Sequence, residues 1–448
     1  MHRAHHTIRL TGFLILPVFI GVPSDLSAAG FLIFEQGVKG LGTAFAGAAA
    51  TAEDASTVFY NPAGMTYLRG TQLQGAGYGI FLQAEFTDQA STTASGAPLT
   101  GQNDDAGTKL AVANFYGTHA LTDRVAVGLG VNTPFGLKTE YSSDWIGRYH
   151  AIKSELRTIN FNPSVGFKVN ELVSIGAGLD VQYADAELSN AIDFGTLLSG
   201  TGLTRPQEND GFARLEAEDW GVGYNVGIVL SPLANTRIGL AYRSKIEYDL
   251  RGDIDFDKSP TVDAILANLG DDLFVDTSAH AELTLPQILS AGLYHRLNPQ
   301  WALMVGLTWT QWDTLQDVVV IRSDNPSQPP TSIVLNYDDA FRYSIGAHYF
   351  PNETYTFRFG LAYDETPIPN AESRSARLPD EDRLWLGLGA SYEITQRFSL
   401  DFAYAHLFIK DAQIRSTLPA SNPQLRSTLV GESENSVDII GAQLNWVF

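Results

Sequence analysis

The chain has 448 residues with 41 glycines, 11% aromatic and 18% charged side chains, no cysteine and a formal net charge of -21. So acidic a chain lacks the clustered Lys and Arg that a phosphate backbone requires, which excludes nucleic acid as a partner. The missing cysteines exclude a disulfide framework and thiolate metal sites, while the length admits either several soluble domains or one large barrel.

Residues 1–28 read as a secretory signal peptide. Arg3 and Arg9 supply positive charge, Leu10 to Val22 form an apolar core, and Ser27-Ala28-Ala29 offers small residues for cleavage after Ala28. The run is broken by Pro17 and Pro23 and is too short for a retained anchor.

Next comes a segment that is neither a strand nor an amphipathic helix. Ala29 to Leu68 is dense in small residues, with Gly40-Leu41-Gly42, Ala48-Ala49-Ala50 and Asn61-Pro62-Ala63-Gly64. Asparagine before proline biases the chain to an extended or turn conformation, and Pro-Ala-Gly permits a sharp reversal.

From Thr71 onward the sequence alternates with period two, many times over. Tyr355, Phe357, Phe359, Leu361 and Tyr363 share one face, against Thr356, Arg358, Gly360, Ala362 and Asp364 on the other. Ile238, Leu240, Tyr242, Ile246 and Tyr248 oppose Arg237, Gly239, Ala241, Arg243, Lys245, Glu247 and Asp249 in the same manner. Apolar faces ending in aromatics, backed by glycine and charge, are those of strands that face lipid outside and a polar lumen inside.

The connections fall into two alternating classes. Short turns lie at Leu121–Arg124, Val169–Leu172, Pro232–Asn235, Leu297–Gln300, Pro351–Thr354 and Ile394–Arg397. Longer polar stretches lie between them, roughly Asp88 to Gly107, Lys138 to Ser154, Ser189 to Asp219, Arg251 to Ala279, Ser323 to Ser332, Glu365 to Asp382 and Ala412 to Glu432. Their acidic pairs, such as Asp338-Asp339 and Asp380-Glu381-Asp382, read as solvated loop residues. Outer-membrane barrels put short turns on the periplasmic side and long loops outside. The count predicts an all-β transmembrane antiparallel barrel of about fourteen strands over residues 71–448, closed by a last strand that alternates back from Phe448 through Trp446 and Leu444.

Ala29-Gly30-Phe31, Glu35-Gln36, the run from Gly40 to Gly47, the run from Asp54 to Met65, Leu283-Thr284-Leu285-Pro286, Asp364 to Pro369 and Leu378 to Trp385 resemble, in order, the FadL family of outer-membrane transporters for long-chain fatty acids and other hydrophobic compounds. The resemblance implies that residues 29–70 fold inward as a hatch plugging the lumen. It also implies passive uptake, with capture outside, hatch rearrangement and lateral exit through a gap in the wall. The partner would then be a long-chain fatty acid or a hydrocarbon, in a monomer surrounded by outer-membrane lipid and lipopolysaccharide, with no cofactor and no metal.

On that reading Gly40, Gly42, Asn61, Pro62, Ala63 and Gly64 serve the hatch and its gating. Asn132, Pro134, Phe135 and Gly136 form the lateral exit, since proline cannot donate to a strand ladder and strand glycine marks a bulge. An ordinary strand end is the competing reading. Arg243, Lys245, Arg358 and Arg383 are the candidate carboxylate-binding residues; the alternative for Arg243 and Lys245 is a lumen ion pair to Glu247, Asp249 or a hatch acid such as Glu53, and Arg358 and Arg383 have similar standing.

No catalytic constellation is found, because the mature histidines are isolated and neither His-Glu-x-x-His nor Gly-x-Ser-x-Gly occurs. The rival functions are a barrel enzyme of lipase or protease type and a general aqueous porin with adhesion or phage-receptor loops.

Overall fold

The computed structural model describes residues 30–270, 274–322, 330–418 and 423–448. The expected signal peptide, Asp271-Asp272 and most of the loop after Arg322 lie outside them. No described helix is long and apolar enough to cross a membrane, and the crossing is made by strands.

Fourteen antiparallel strands form one closed barrel. In chain order they are β1 (Thr71–Asp88), β2 (Lys109–Ala120), β3 (Val125–Asn132 with Gly136–Glu140), β4 (Lys153–Lys168) and β5 (Val173–Ile192). Then come β6 (Gly211–Leu233), β7 (Thr236–Arg243 with Ile246–Asp257), β8 (Thr277–Leu285 with Ile288–Asn298) and β9 (Trp301–Thr310 with Asp317–Arg322). The last five are β10 (Ala340–Tyr349), β11 (Tyr355–Asp364), β12 (Arg383–Thr395), β13 (Phe398–Ile409) and β14 (Ser427–Val447). The ring closes where β1 pairs with β14, from Gln72 opposite Val447 to Asp88 opposite Gly431. Every backbone group of a spanning strand must be paired inside the bilayer, so closure is what lets these strands cross.

All six expected short turns join neighbouring strands at one end. Several of the expected long loops prove to be strand for part of their length: β6 begins at Gly211, β7 runs to Asp257 and β14 begins at Ser427. These extensions lift the wall beyond the apolar band. On the outer face of β6, Tyr224, Val222 and Trp220 give way to Glu218, Glu216 and Arg214.

Alternation decides the two faces as expected. Tyr355, Phe357, Phe359 and Leu361 are exposed on the outer wall, whereas Arg358 and Ala362 are buried inside. On β7 the parity changes midway. The register with β6 slips by one residue between Arg243 opposite Asn225 and Arg251 opposite Glu218, so one extra residue at Ser244-Lys245 makes a bulge. Beyond it Ile246 and Tyr248 point inward and are buried. Lys245 therefore turns outward, with its ammonium 2.6 Å from Glu247. The expectation that Arg243 and Lys245 share the inner face is corrected by this bulge.

Residues 30–68 fill the lumen with three single-turn helices, α1 (Val38–Leu41), α2 (Ala48–Thr51) and α3 (Thr57–Tyr60), and a 3-10 helix over Pro62–Tyr67. A barrel of this size encloses more space than its own side chains fill, and the hatch backbone occupies it by lying against inward glycines. A β-carbon on Gly42 would lie 2.9 Å from the Gly389 α-carbon of β12, and one on Gly387 would lie 2.5 Å from the Leu41 carbonyl oxygen. Gly176, Gly239 and Gly360 approach Ala63, Ala49 and Thr43 more closely still.

Candidate functional site

Three pieces of geometry define the site: the fastening of the hatch, an interruption of the wall, and a cavity at the loop end.

Asn61 ties three parts of the structure together. Its side-chain oxygen accepts from Ala63 N at 3.1 Å and caps the 3-10 helix that Pro62 opens, a position where a missing N–H costs nothing. Its amide nitrogen donates to Ala49 O at 2.7 Å and reaches the wall at Ile228 O, 3.1 Å. Gly40 and Gly64 pack within the hatch, Gly40 against Phe45 and Gly64 against Thr57.

The inward cations anticipated as substrate ligands are engaged elsewhere. Arg243 pairs with the fully buried Asp180 and donates to Phe59 O of the hatch at 3.0 Å. Arg358 lies 3.3 Å from Glu53 and also bonds Ser391. Arg383 donates to Gly30 O at 3.2 Å and lies 3.4 Å from Asp380, which accepts from Gly30 N at 2.9 Å. A buried guanidinium already facing a carboxylate has little left to offer an incoming one. These three residues fasten the hatch, and the ion-pair alternative, with Glu53 as partner, is met at Arg358. Asp380 and Asp382 are likewise buried, which corrects their reading as solvated loop residues.

The wall is interrupted in β3. Its two halves pair with β4 out of step by one residue, Asn132 opposite Asn160 and Gly136 opposite Arg157, and Phe135 turns inward to become buried. On the other side the ladder with β2 stops at Val131 opposite Phe115. Proline at 134 has no N–H to give a ladder. Phe135 exchanges hydrogen bonds with Thr158 Oγ1 of β4, and the peptide groups on either side are taken by the start of the hatch: Ile33 N donates to Pro134 O at 2.8 Å and Gly136 N to Phe31 O at 3.0 Å. Gln36 adds a bond to Thr133 O at 2.8 Å, and Asn114 of β2 donates to Glu35 O at 2.7 Å. The first hatch residues thus stand where a strand edge is missing.

A second excursion faces the first. Between Thr310 and Asp317, β9 gains residues relative to β8 and turns Trp312 inward, where it is 1% exposed. Phe31 lies edge-on between the two, its ring centroid 4.8 Å from Trp312 and 6.2 Å from Phe135. This aromatic group belongs to an apolar cluster with Leu156, Leu250, Leu315 and Ile368.

Beyond that cluster, toward the long loops, is a cavity of about 700 Å³, the size of sites that enclose small ligands. Its walls are apolar, with Ile192, Leu197, Ile254, Phe256 and Phe274, and Val318 packs both against this group and against the cluster that holds Phe31. Four arginines, Arg322, Arg377, Arg415 and Arg426, line it against two carboxylates, Asp193 and Glu372. His150 also lines it, kept neutral down to about 4 by burial and by the nearby Arg377 charge. No local pattern announces this cavity, because its residues come from separated stretches spread from Thr93 to Ser427.

A closed, lipid-facing barrel whose lumen is filled by its own N-terminal segment is a plugged membrane channel of the outer-membrane type. The chain matches the profile of the outer membrane protein transport proteins (OMPP1/FadL/TodX) over residues 21–448 and belongs to that family. It is 30% identical to a long-chain fatty acid transport protein of Escherichia coli O6:H1, over 94% of this chain and 95% of that one. Outer membrane protein P1 of Haemophilus influenzae is 29% identical, over 94% and 96%. A FadL homologue of Pseudomonas aeruginosa superposes with a TM-score of 0.86 at 25% identity, over 94% of this chain and all of that one. The toluene transporter TodX of Pseudomonas putida, at 16% identity and a TM-score of 0.67, shares the fold over 95% and 99%. The protein is thus a bacterial outer-membrane transporter and not an enzyme.

Proposed function

We propose that the protein takes up long-chain fatty acids or similar hydrophobic molecules without an energy source, capturing them in the loop-end cavity and releasing them sideways at Asn132–Gly136. The observation that carries this reading is the wall interruption in β3, where hatch residues 31–36 hold the peptide groups of Thr133, Pro134 and Gly136 while those of Phe135 bond Thr158 of β4. Movement of Phe31 to Gln36 would open a passage from the aromatic cluster to the bilayer, at a cost of a few hydrogen bonds of about 1 kcal/mol each. Related proteins named for fatty acid and toluene transport support a hydrophobic cargo.

On this reading the chain is cut after Ala28, residues 29–70 act as the hatch and residues 71–448 as the barrel. It works as a monomer whose wall meets lipid and lipopolysaccharide.

Uptake of a labelled long-chain fatty acid and of a neutral hydrocarbon is measured in cells with and without the protein. Faster uptake of at least one is expected. No difference for either would overturn the proposal.

A further inference from the structure

The wall is broken a second time, between β6 and β7, at a place the hatch does not fill. Their pairing stops at Arg243 opposite Asn225 and resumes only at Arg251 opposite Glu218. At the lower edge of the break Ser244 N still bonds Tyr224 O at 2.8 Å, but Tyr224 N donates to the Ser244 hydroxyl at 2.9 Å. At the upper edge Asp249 N donates to the Asp219 carboxylate at 2.8 Å. Peptide groups of both strands thus turn to side chains. On its other side β7 is loose at the same height, because its ladder with β8 skips Ser244 and Lys245, which lie opposite Pro286-Gln287. Proline has no N–H to give there.

Two side chains close the break. Ile246 and Tyr248, buried beyond the bulge, lie across inward glycines of β6: a β-carbon on Gly223 would stand 2.8 Å from Ile246 Cγ1, and one on Gly221 2.8 Å from Tyr248 Cε1. Among the described residues no hatch hydrogen bond reaches Asp219–Tyr224 or Ser244–Leu250. A ladder of peptide bonds resists opening in a bilayer, whereas a side chain swings aside by changing rotamer. Inside, Ile246 and Tyr248 belong to the apolar cluster that holds Phe31, Phe135 and Trp312. Outside, β6 presents Trp220, Val222 and Tyr224, and Val222 is 67% exposed, more than any other large apolar side chain of the described strands. Across the break β7 presents the Lys245 and Glu247 pair. An aromatic flank facing a charged one marks the level where acyl chains meet headgroups.

We propose that β6 and β7 enclose a second side passage, from the aromatic cluster to the headgroup level of the outer leaflet, gated by Ile246 and Tyr248 and independent of the hatch. This rests on the transport reading above and adds a route to it.

The test measures uptake of labelled oleate by cells in the background Pro134→Val with Gly136→Val, which removes the contribution of the first interruption. To this background is added either Ile246→Ala, or Val222→Cys with Glu247→Cys joined by a short bis-maleimide. Counting back from Arg251 opposite Glu218, Glu247 falls opposite Val222, and the chain has no other cysteine. The background is expected to keep part of the wild-type rate, Ile246→Ala to raise it severalfold, and the cross-link to lower it to that of cells without the protein. Each single-cysteine protein, treated alike, should stay at the background rate. The inference is overturned if the background alone already falls to the rate of cells without the protein, if the cross-link leaves the rate unchanged, or if folded Ile246→Ala does not raise it. Should Ile246→Ala lack the heat-modifiable, folded band on gels, the cross-link decides alone. Wild-type protein that gives no uptake above cells without it defeats the transport reading itself, and is thereby distinguished from failure of the second passage.

Discussion

Gly239 of β7 lies so close to Ala49 of α2 that a β-carbon on it would overlap the Ala49 carbonyl oxygen. The wall can thus keep its ladder or accept a side chain there, but it cannot keep the hatch in place as well. Gly239→Val is expected to leave a folded barrel with a displaced hatch, at an overpacking cost of about 1–3 kcal/mol. Liposome swelling with a small sugar should become faster than in wild type. The control is Gly200→Ala, where an added carbon meets nothing within 4 Å.

Glu53 joins the hatch to two wall residues, His348 at 3.1 Å and Arg358 at 3.3 Å. Glu53→Gln removes one of two carboxylates facing the buried Arg358, which keeps Asp401 at 3.9 Å, so the cost stays below the about 3–5 kcal/mol of breaking a buried pair outright. Because the chain has no cysteine, a single one placed at Thr51 reports on this end of the hatch. Its labelling by a maleimide is expected to be at least tenfold faster in the Glu53→Gln background, and an equal rate would show that the pair does not hold the hatch.

Restoring a regular strand at the wall interruption should close the exit. In Pro134→Val with Gly136→Val, the first change returns a backbone donor, and the second places a side chain where a β-carbon would lie 2.7 Å from Ile33 Cδ1. Uptake of labelled fatty acid should slow severalfold in cells while the heat-modifiable, folded band persists on gels. Unchanged uptake would remove Asn132–Gly136 from the route.

Glu365, in the loop after β11, is pushed up to about 7, chiefly by burial and against the bond it accepts from Phe341 N. The folded protein therefore holds a proton on Glu365 that the unfolded chain releases near 4.5. Folded protein binds more protons between these values, so stability falls as pH rises from about 4.5 to about 7. Glu365→Gln keeps an acceptor for Phe341 N and removes the titration. At pH 8 its melting temperature should exceed wild type by a few degrees, and at pH 4 the difference should vanish.

Much of the architecture was legible in the chain, because period-two alternation and paired turn lengths are local signals. Tyr355 to Tyr363 read as one lipid face and is one, and each short turn falls where the residues place it. The pattern fails where a single added residue reverses it, as at Ser244-Lys245, since a bulge inside a polar stretch carries no marker in composition. Arg243, Arg358 and Arg383 were correctly placed on the inner wall, but only the hatch seated opposite shows that their charge is already used. The loop-end cavity is illegible for the converse reason: its walls are brought together across the barrel mouth from residues near 150, 190 and 330.

The seam between β1 and β14 sets an order of events in biogenesis. It matches residue 72 with residue 447, a loop closure spanning nearly the whole chain, which is slow and late by nature. The hatch is tethered to the first strand of that seam at Gly70, whose successor Thr71 bonds the Phe448 backbone. A hatch tethered at that seam has two ways in, either seated within the curling sheet before the final strand docks or threaded afterwards through one of the ring's two mouths.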